Sequence, residues 1–158
     1  LATYLYEETS DYKDLIQAQL EEMTRATNET ASFFVRQRSN RICVLTSEPD
    51  KMIKHTIQIG ALKPINKGAS GHILSAYHNL KIRNKDSILK NGYSMSFGER
   101  DKEIASVSVP LMSASIKILG ALTITGHISN FNKKNSLKFL NILRLSKTKI
   151  EKELNKLK

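Results

Sequence analysis

Few side chains in this sequence have the types and spacing that catalysis or metal binding requires. The four histidines are isolated, and none belongs to a His-x-x-x-His or Glu-x-x-His pattern. Only His72 and His78 fall in one predicted helix, where a separation of six residues puts them on different faces. The single cysteine, Cys43, lies inside an apolar run without a neighbouring base, which favours burial over nucleophilic catalysis. The sequence therefore predicts no catalytic residue and no metal site, with a zinc site assembled from distant strands and a nucleophilic Cys43 as the lesser alternatives.

Small and hydroxyl-bearing residues indicate a different chemistry, the binding of an anion. Residues 68–71 (GASG) stand at a predicted helix start, where backbone N–H groups and the positive end of the helix dipole favour negative charge. Ser96 and Ser106 stand on strands predicted to be adjacent, and Thr123 and Thr125 alternate on the last strand, so these two threonines share a face. Close packing of the glycines and ordinary strand positions for the threonines are the alternative interpretations.

The elements that must position these residues follow from the apolar periodicity. Steps of three and four residues predict helices over residues 10–27, with Ser10 as the cap, from about Gly68, and from Lys134 to the chain end. Residues 81–91 predict a short helix or a loop. Runs rich in β-branched and aromatic residues predict six strands, at residues 30–36, 41–47, 53–59, 93–97, 104–112 and 118–125. Short turns join these strands, so the sequence predicts an α+β fold with a mostly antiparallel sheet.

Length, composition and charge limit the possible classes of protein. A chain of 158 residues with 40% apolar composition suits one domain, and no apolar run approaches the roughly 20 residues of a membrane span. A single cysteine and the absence of a signal peptide pattern fit a cytoplasmic protein. The net charge of +10 is concentrated in residues 132–158, which contain nine basic residues and only two glutamates. No aromatic residues alternate with these lysines. This pattern is typical of the solvated face of a helix, and direct nucleic-acid binding is the lesser interpretation.

Three motifs, in order along the chain, resemble the IclR family of bacterial transcription regulators. Residues 59–77 (IGALKPINKGASGHILSAY) are similar to the family stretch in which a glycine, a proline and a small-residue turn lead into the helix that begins the effector pocket. Residues 91–111 (NGYSMSFGERDKEIASVSVPL) resemble its Gly-Tyr strand, glutamate-bearing loop and following strand. Residues 118–129 (ILGALTITGHIS) resemble the family strand that ends in Ser-x-Ser-Gly-Pro, with His127 in place of the proline.

The resemblance covers residues 20–158 and implies the C-terminal, effector-binding domain of such a regulator. It implies a GAF-like fold, a twisted, mostly antiparallel six-stranded sheet with helices packed on both sides. Residues 1–27 would be a linker and an N-terminal helix, and the DNA-binding winged helix-turn-helix would lie in a part of the protein absent from this chain, which begins with Leu1 rather than methionine. Carried over by motif, the ligand-binding residues would be Ala69, Ser70, Ser96, Ile104, Ser106, Thr123 and Thr125.

The sequence departs from the family pattern at several of these positions. Ser96 stands where the family often has an acid, and Ala105 stands where an arginine is common. Lys67, Gly68 and His72 also differ from the usual residues.

The function implied by the resemblance is regulatory. The domain would bind a small organic acid, without a cofactor or metal, as a homodimer or tetramer, and would influence DNA only through the missing N-terminal domain. A GAF-like dimerisation module without a small ligand is the alternative. A hydrolase that uses Cys43 or a histidine pair is the third possibility, from a different class of protein.

Overall fold

One six-stranded sheet organises the fold. The computed structural model describes residues 12–156. In chain order, the elements are α1 (Lys13–Thr27), β1 (Thr30–Gln37), β2 (Asn40–Ser47), β3 (Leu62–Pro64), α2 (Ala69–Tyr77), α3 (Lys85–Asn91), β4 (Ser94–Phe97), β5 (Ile104–Met112), β6 (Ile118–His127), a 3-10 turn (Ile128–Asn130) and α4 (Lys133–Lys156). The strand order is β3-β2-β1-β6-β5-β4, and every neighbouring pair is antiparallel. The predicted α+β class is confirmed.

The apolar face of the sheet packs against α1 and α4. Alternate residues of the central strands, such as Phe33, Val107 and Leu122, are fully buried there with Leu20 of α1 and Leu143 of α4. The apolar stripe of each helix repeats every three or four residues, which gives the helix one face that the sheet can cover. This layer holds the larger of the two hydrophobic clusters.

The opposite face of the sheet is covered by α2, with α3 packed beside it. A smaller apolar cluster forms here, in which Phe34, Cys43 and Ala121 of the sheet meet Ile73 and Leu74 of α2. Because α2 is short, it covers only part of this face. The helices therefore lie on both sides of the sheet, as predicted, but they cover the two sides to different extents.

The prediction of a strand over residues 53–59 is wrong. This segment has no regular structure, and the side chains of Ile53 and Ile59 are 84% and 58% exposed. Their alternation with polar residues imitates a half-buried strand, but the backbone makes only isolated bonds to the sheet. The hydroxyl of Thr30 donates to the carbonyl of His55 at 2.5 Å, and the N–H of Gly60 donates to the carbonyl of Cys43 at 2.9 Å. The third strand is the short edge strand β3.

The other predicted elements agree with the structure to within a few residues. The turn at residues 38–40 joins β1 to β2, and α2 begins directly after Gly68. The proposed cap Ser10 and the apolar residue Leu157 lie outside the described residues. No helix between residues 12 and 156 contains an apolar stretch long enough to cross a bilayer.

A β-bulge lies between β1 and β2. Phe33 pairs with Leu45 and Phe34 pairs with Cys43, so Val44 has no partner on β1. A bulge of this kind bends and twists its strand. As a result, Cys43 packs in the cluster under α2, whereas Leu45 packs in the cluster under α1 and α4.

Candidate functional site

Two rows of hydroxyl side chains cross the sheet on the face that α2 partly covers. Neighbouring strands contribute one residue each to the first row, through the pairs Ser96–Ser106, Ser106–Thr125 and Thr125–Thr30. The second row is built by the pairs Ser94–Ser108, Ser108–Thr123, Thr123–Ser32 and Ser32–Thr46. Ser108 and Thr123 are joined by a 2.9 Å hydroxyl–hydroxyl bond, and so are Ser32 and Thr46. All but Thr46 are buried.

The start of α2 points at these rows. Gly68 precedes the helix with a φ of +84°, a conformation that favours glycine, and no side chain caps the first turn. The N–H of Ala69 lies 3.4 Å from the hydroxyl oxygen of Ser106, a long hydrogen bond. Gly71 packs directly against the carbonyl of Ile65. The glycines therefore let the helix start approach its surroundings closely.

A cavity of about 250 Å³ lies between the helix start and the hydroxyl rows. All seven residues carried over from the family motifs line it: Ala69 and Ser70 from α2, Ser96 from β4, Ile104 and Ser106 from β5, and Thr123 and Thr125 from β6. Within residues 12–156, no protein group bonds to the hydroxyl of Thr125. The volume is below the roughly 300–1,000 Å³ of drug-sized ligand pockets, so a ligand here would be small.

Arg41 forms part of the cavity wall and was missed in the sequence. It lies at the beginning of β2, is only 3% exposed, and stacks over the ring of Phe34 at 5.6 Å. Its Nη1 donates to the backbone carbonyls of Pro64 and, at 2.6 Å, Lys67. Its Nε has no hydrogen-bond partner among the described residues. Burial lowers the pKa of the guanidinium to about 10, so the group stays charged at neutral pH.

Further cationic groups line the same cavity. Lys63 of β3 pairs with Arg41 across the strands, and Arg100 reaches in from the loop between β4 and β5. The Nη2 of Arg100 lies 3.5 Å from Nε2 of His55. Burial, followed by the charge of Arg100, lowers the pKa of His55, which keeps its ring neutral at pH 7. The cavity wall therefore offers cationic side chains in addition to the helix start and the hydroxyls.

Glu99 ties the β4–β5 loop to α2. Its Oε1 lies 2.8 Å from Nε2 of His72, and its Oε2 accepts a long hydrogen bond of 3.5 Å from Ser96. His72 and Ser96 are two of the positions at which this chain departs from the family pattern. The structure brings them together through one carboxylate.

Cys43 lies at the inner wall of the cavity, in the strand position that was predicted. Burial raises the pKa of its thiol to about 11, so the thiol is protonated and a poor nucleophile at neutral pH. No group of three or more histidine, cysteine, aspartate or glutamate side chains gathers into a metal-binding arrangement between residues 12 and 156.

The sequence did contain a signal for the hydroxyl rows. Four strands each carry two hydroxyl residues separated by one other residue: Thr30 and Ser32, Ser94 and Ser96, Ser106 and Ser108, Thr123 and Thr125. Strands normally alternate apolar with polar residues where one face of the sheet meets solvent. Here four strands of one sheet place small hydroxyl residues at alternate positions, which indicates a polar surface inside the protein. The sequence signal for Arg41 was weaker. It is a charged residue two positions before Cys43, on the same predicted strand.

Comparison with known families decides what this architecture is. Residues 6–86 and 83–152 match the sequence model of a family described as "Bacterial transcriptional regulator IclR C-terminal". The chain belongs to this family. No curated protein matches the chain in a sequence search.

Solved structures show that the IclR C-terminal fold is shared. The IclR of Thermotoga maritima is 16% identical, with a TM-score of 0.81 over 98% of this chain and 73% of that one. An IclR-family regulator from Rhodococcus sp. is 21% identical, with a TM-score of 0.78 over 86% of this chain and 61% of that one. The C-terminal domain of a Vibrio cholerae transcriptional regulator is 19% identical, with a TM-score of 0.77 over 90% and 98% of the two chains. The predicted GAF-like fold is confirmed, and this chain spans less than two thirds of the Rhodococcus protein.

Proposed function

We propose that this IclR C-terminal domain is the sensor of a transcription regulator and binds a small organic acid in the cavity between α2 and the hydroxyl rows. The main support for this proposal is the position of the seven residues predicted to bind a ligand. The seven residues selected from the sequence stand on four different elements, and all of them line the same cavity. A surface kept only for assembly has no need of an interior lined with hydroxyls and an uncapped helix start.

The first turn of α2 suits an acidic group. The N–H groups of a helix start carry partial positive charge and point outward, so they stabilise an anion when no side chain caps them. Ser106 and Thr125 can each donate or accept a hydrogen bond, and they therefore suit a carboxylate or a hydroxyl. Ala69 and Ile104 supply an apolar wall. The arrangement fits a short organic acid.

The proposal extends to the whole regulator. DNA would be bound by a winged helix-turn-helix elsewhere in the longer protein, and this domain would act as a homodimer or tetramer because a symmetric site in DNA is most simply read by a symmetric protein. Such a regulator works in the cytoplasm. The protonated, buried Cys43 supports a regulator over a thiol-dependent hydrolase.

A thermal-shift screen tests the proposed ligand site. The panel contains keto acids, hydroxy acids and aromatic acids. A ligand present at a hundred times its dissociation constant stabilises the fold by roughly 2.7 kcal/mol, which is a melting shift of about 5–10 °C for a domain of this size. Thr125→Val and Ser106→Leu should both reduce the shift, since the first removes a hydroxyl and the second fills the cavity.

Ser115→Leu is the matched control for Ser106→Leu, because Ser115 is exposed in the turn between β5 and β6. Its melting shift should equal that of the unmodified domain. A ligand whose shift survives both cavity substitutions binds elsewhere, and the residue assignment would then be wrong. A panel without any hit would favour the dimerisation module.

A further inference from the structure

The charges that line the cavity are all of one sign. Arg41, Lys63 and Arg100 contribute to its wall, and no aspartate or glutamate does so in the described part of the chain. Glu99 is close enough to influence Arg41, but its carboxylate is engaged by His72 and Ser96. A ligand with one negative charge would leave this wall with excess positive charge.

Arg41 is the buried member of the set. No carboxylate forms an ion pair with it within residues 12–156, and its Nε has no partner there. The two carbonyl oxygens that accept from Nη1 offer partial charges rather than a counter-ion. A buried guanidinium that is charged at neutral pH and has no anion beside it is unfavourable, whereas a guanidinium paired with a carboxylate or a phosphate is among the stronger polar contacts in proteins.

The surroundings of Arg41 are built to keep it beside the helix start. A β-carbon at Gly68 would be in ordinary contact with Nη2, at 3.4 Å, whereas one at Gly71 would lie 3.2 Å from Nη1, which is tight. Gly71 therefore leaves room for the guanidinium against the first turn of α2, and Gly68 lies beside it. Arg100 is near enough for the like charges of the two arginines to disfavour each other. An anion held between them would relieve that repulsion.

We propose that the ligand of this cavity is a small dianion, either a dicarboxylate or a phosphate monoester, whose second negative charge is recognised by Arg41 and Arg100. This inference rests on the proposed function, because it concerns the same cavity. It adds that Arg41 and Arg100 are specificity-determining residues, which distinguish dianions from monoanions of the same shape. Lys63 adds to the positive potential at the mouth.

Two pairs of isosteric probes test the inference by isothermal titration calorimetry at fixed ionic strength. Succinate is compared with succinamate, and propyl phosphate with propyl sulfate, so that each pair differs by one charge. One additional charge-assisted hydrogen bond corresponds to about a ten- to hundredfold change in affinity. We expect the dianion of at least one pair to bind more tightly by that factor, and the pair that shows it identifies the acid group.

Arg100→Gln is the decisive variant, because Arg100 is exposed and its removal leaves the core intact. It should lower the ratio of dianion to monoanion affinity, and Arg41→Gln should lower it further. Arg83→Gln, which removes an exposed arginine outside the cavity, should leave the ratio unchanged. If Arg41→Gln fails to fold by circular dichroism, the comparison of Arg100→Gln with Arg83→Gln decides the question.

The outcomes separate this inference from the proposed function. Equal affinity for both members of each pair, combined with loss of binding in Thr125→Val, overturns the dianion proposal and supports the sensor. A preference for dianions that persists in Arg100→Gln and Arg41→Gln overturns the assignment of the two arginines. Absence of binding by all four probes also overturns the dianion proposal, and the thermal-shift screen then decides the proposed function alone.

Discussion

The two faces of the sheet are made by the same strands but have opposite chemistry. Along β6, Leu122 and Ile124 enter the large apolar cluster, while Thr123 and Thr125 line the cavity. Along β5, Val107 and Val109 alternate in the same way with Ser106 and Ser108. One face is closed by two long helices, and the other is only partly covered by α2. Alternate residues of one strand therefore serve either stability or binding.

The difference has an energetic basis. Each apolar side chain buried against α1 and α4 contributes about 1.5–3 kcal/mol relative to an exposed one. A buried hydroxyl that is hydrogen-bonded contributes less, about 0.5–1.5 kcal/mol net. The two rows of hydroxyls therefore contribute less hydrophobic stabilisation than apolar residues at the same positions would. The apolar face must supply most of the stability of the whole sheet.

Two adjacent residues of β6, one on each face of the sheet, should show the largest difference in stability. Leu122→Ala should lower the free energy of unfolding by about 2–5 kcal/mol, because it removes buried methyl groups and leaves a cavity in the core. Thr123→Val should lower it by no more than about 1.5 kcal/mol, because the hydroxyl of Ser108 keeps the carbonyl of Leu122 as an acceptor. Urea denaturation of both variants measures the difference.

Equal losses in the two variants would show that the hydroxyl face carries as much stability as the apolar face, and the division of roles would be wrong. Ser115→Leu again serves as the reference for a substitution at an exposed site.

Stability should also depend on pH through Cys43, which lies on the cavity side of the sheet. Burial raises the pKa of its thiol from 9.0 to about 11 in the folded protein. Below pH 9 the thiol is protonated in both the folded and the unfolded protein, so its contribution to the free energy of unfolding is at its maximum. Between pH 9 and 11 the unfolded state loses its proton first, so about 2–3 kcal/mol of stability is lost over this range.

Cys43→Ala isolates this contribution from the titration of lysines and tyrosines. The loss of stability between pH 9 and 11, followed by urea denaturation at each pH, should be smaller in this variant than in the unmodified domain. Identical pH profiles would mean that the thiol is accessible to water, and the inner wall of the cavity would then be more open than described.

The smallest effect is expected at the outer surface of α4, on the closed side of the sheet. Most of its lysines are exposed, and no recognition helix lies within residues 12–156. Binding to double-stranded DNA should therefore be weak, without sequence preference, and steeply reduced by salt. Lys134→Glu with Lys138→Glu should weaken this binding further in gel-shift titrations. Lys81→Glu with Lys90→Glu, at exposed positions on the other side, is the matched control. Sequence-selective binding that resists salt would contradict the expectation.

Periodicity predicted most of the fold because the strands and helices carry their own apolar patterns. It failed at residues 53–59, where isoleucines alternate as in a strand but the segment lines the cavity through residues 55–58 instead of pairing with the sheet. The site was predicted through the motifs of a family, and the seven residues chosen do gather in one place. Arg41 could not be predicted in the same way, since its role depends on the distant glycines of α2 and on the carbonyls of residues 64 and 67. These contacts join segments that are far apart in sequence.

Val44, the extra residue of the bulge, marks a place where the β1–β2 hairpin of a related protein could be one residue shorter. Loss of any residue from a regular strand exchanges the faces of all residues on one side of the gap. Loss of Val44 would not, because Val44 lies opposite no residue of β1. Arg41 and Cys43 would keep facing the cavity, and Leu45 would keep facing the core. In relatives with one residue fewer in this hairpin, the deletion should therefore align with Val44, and the strand there should be straighter.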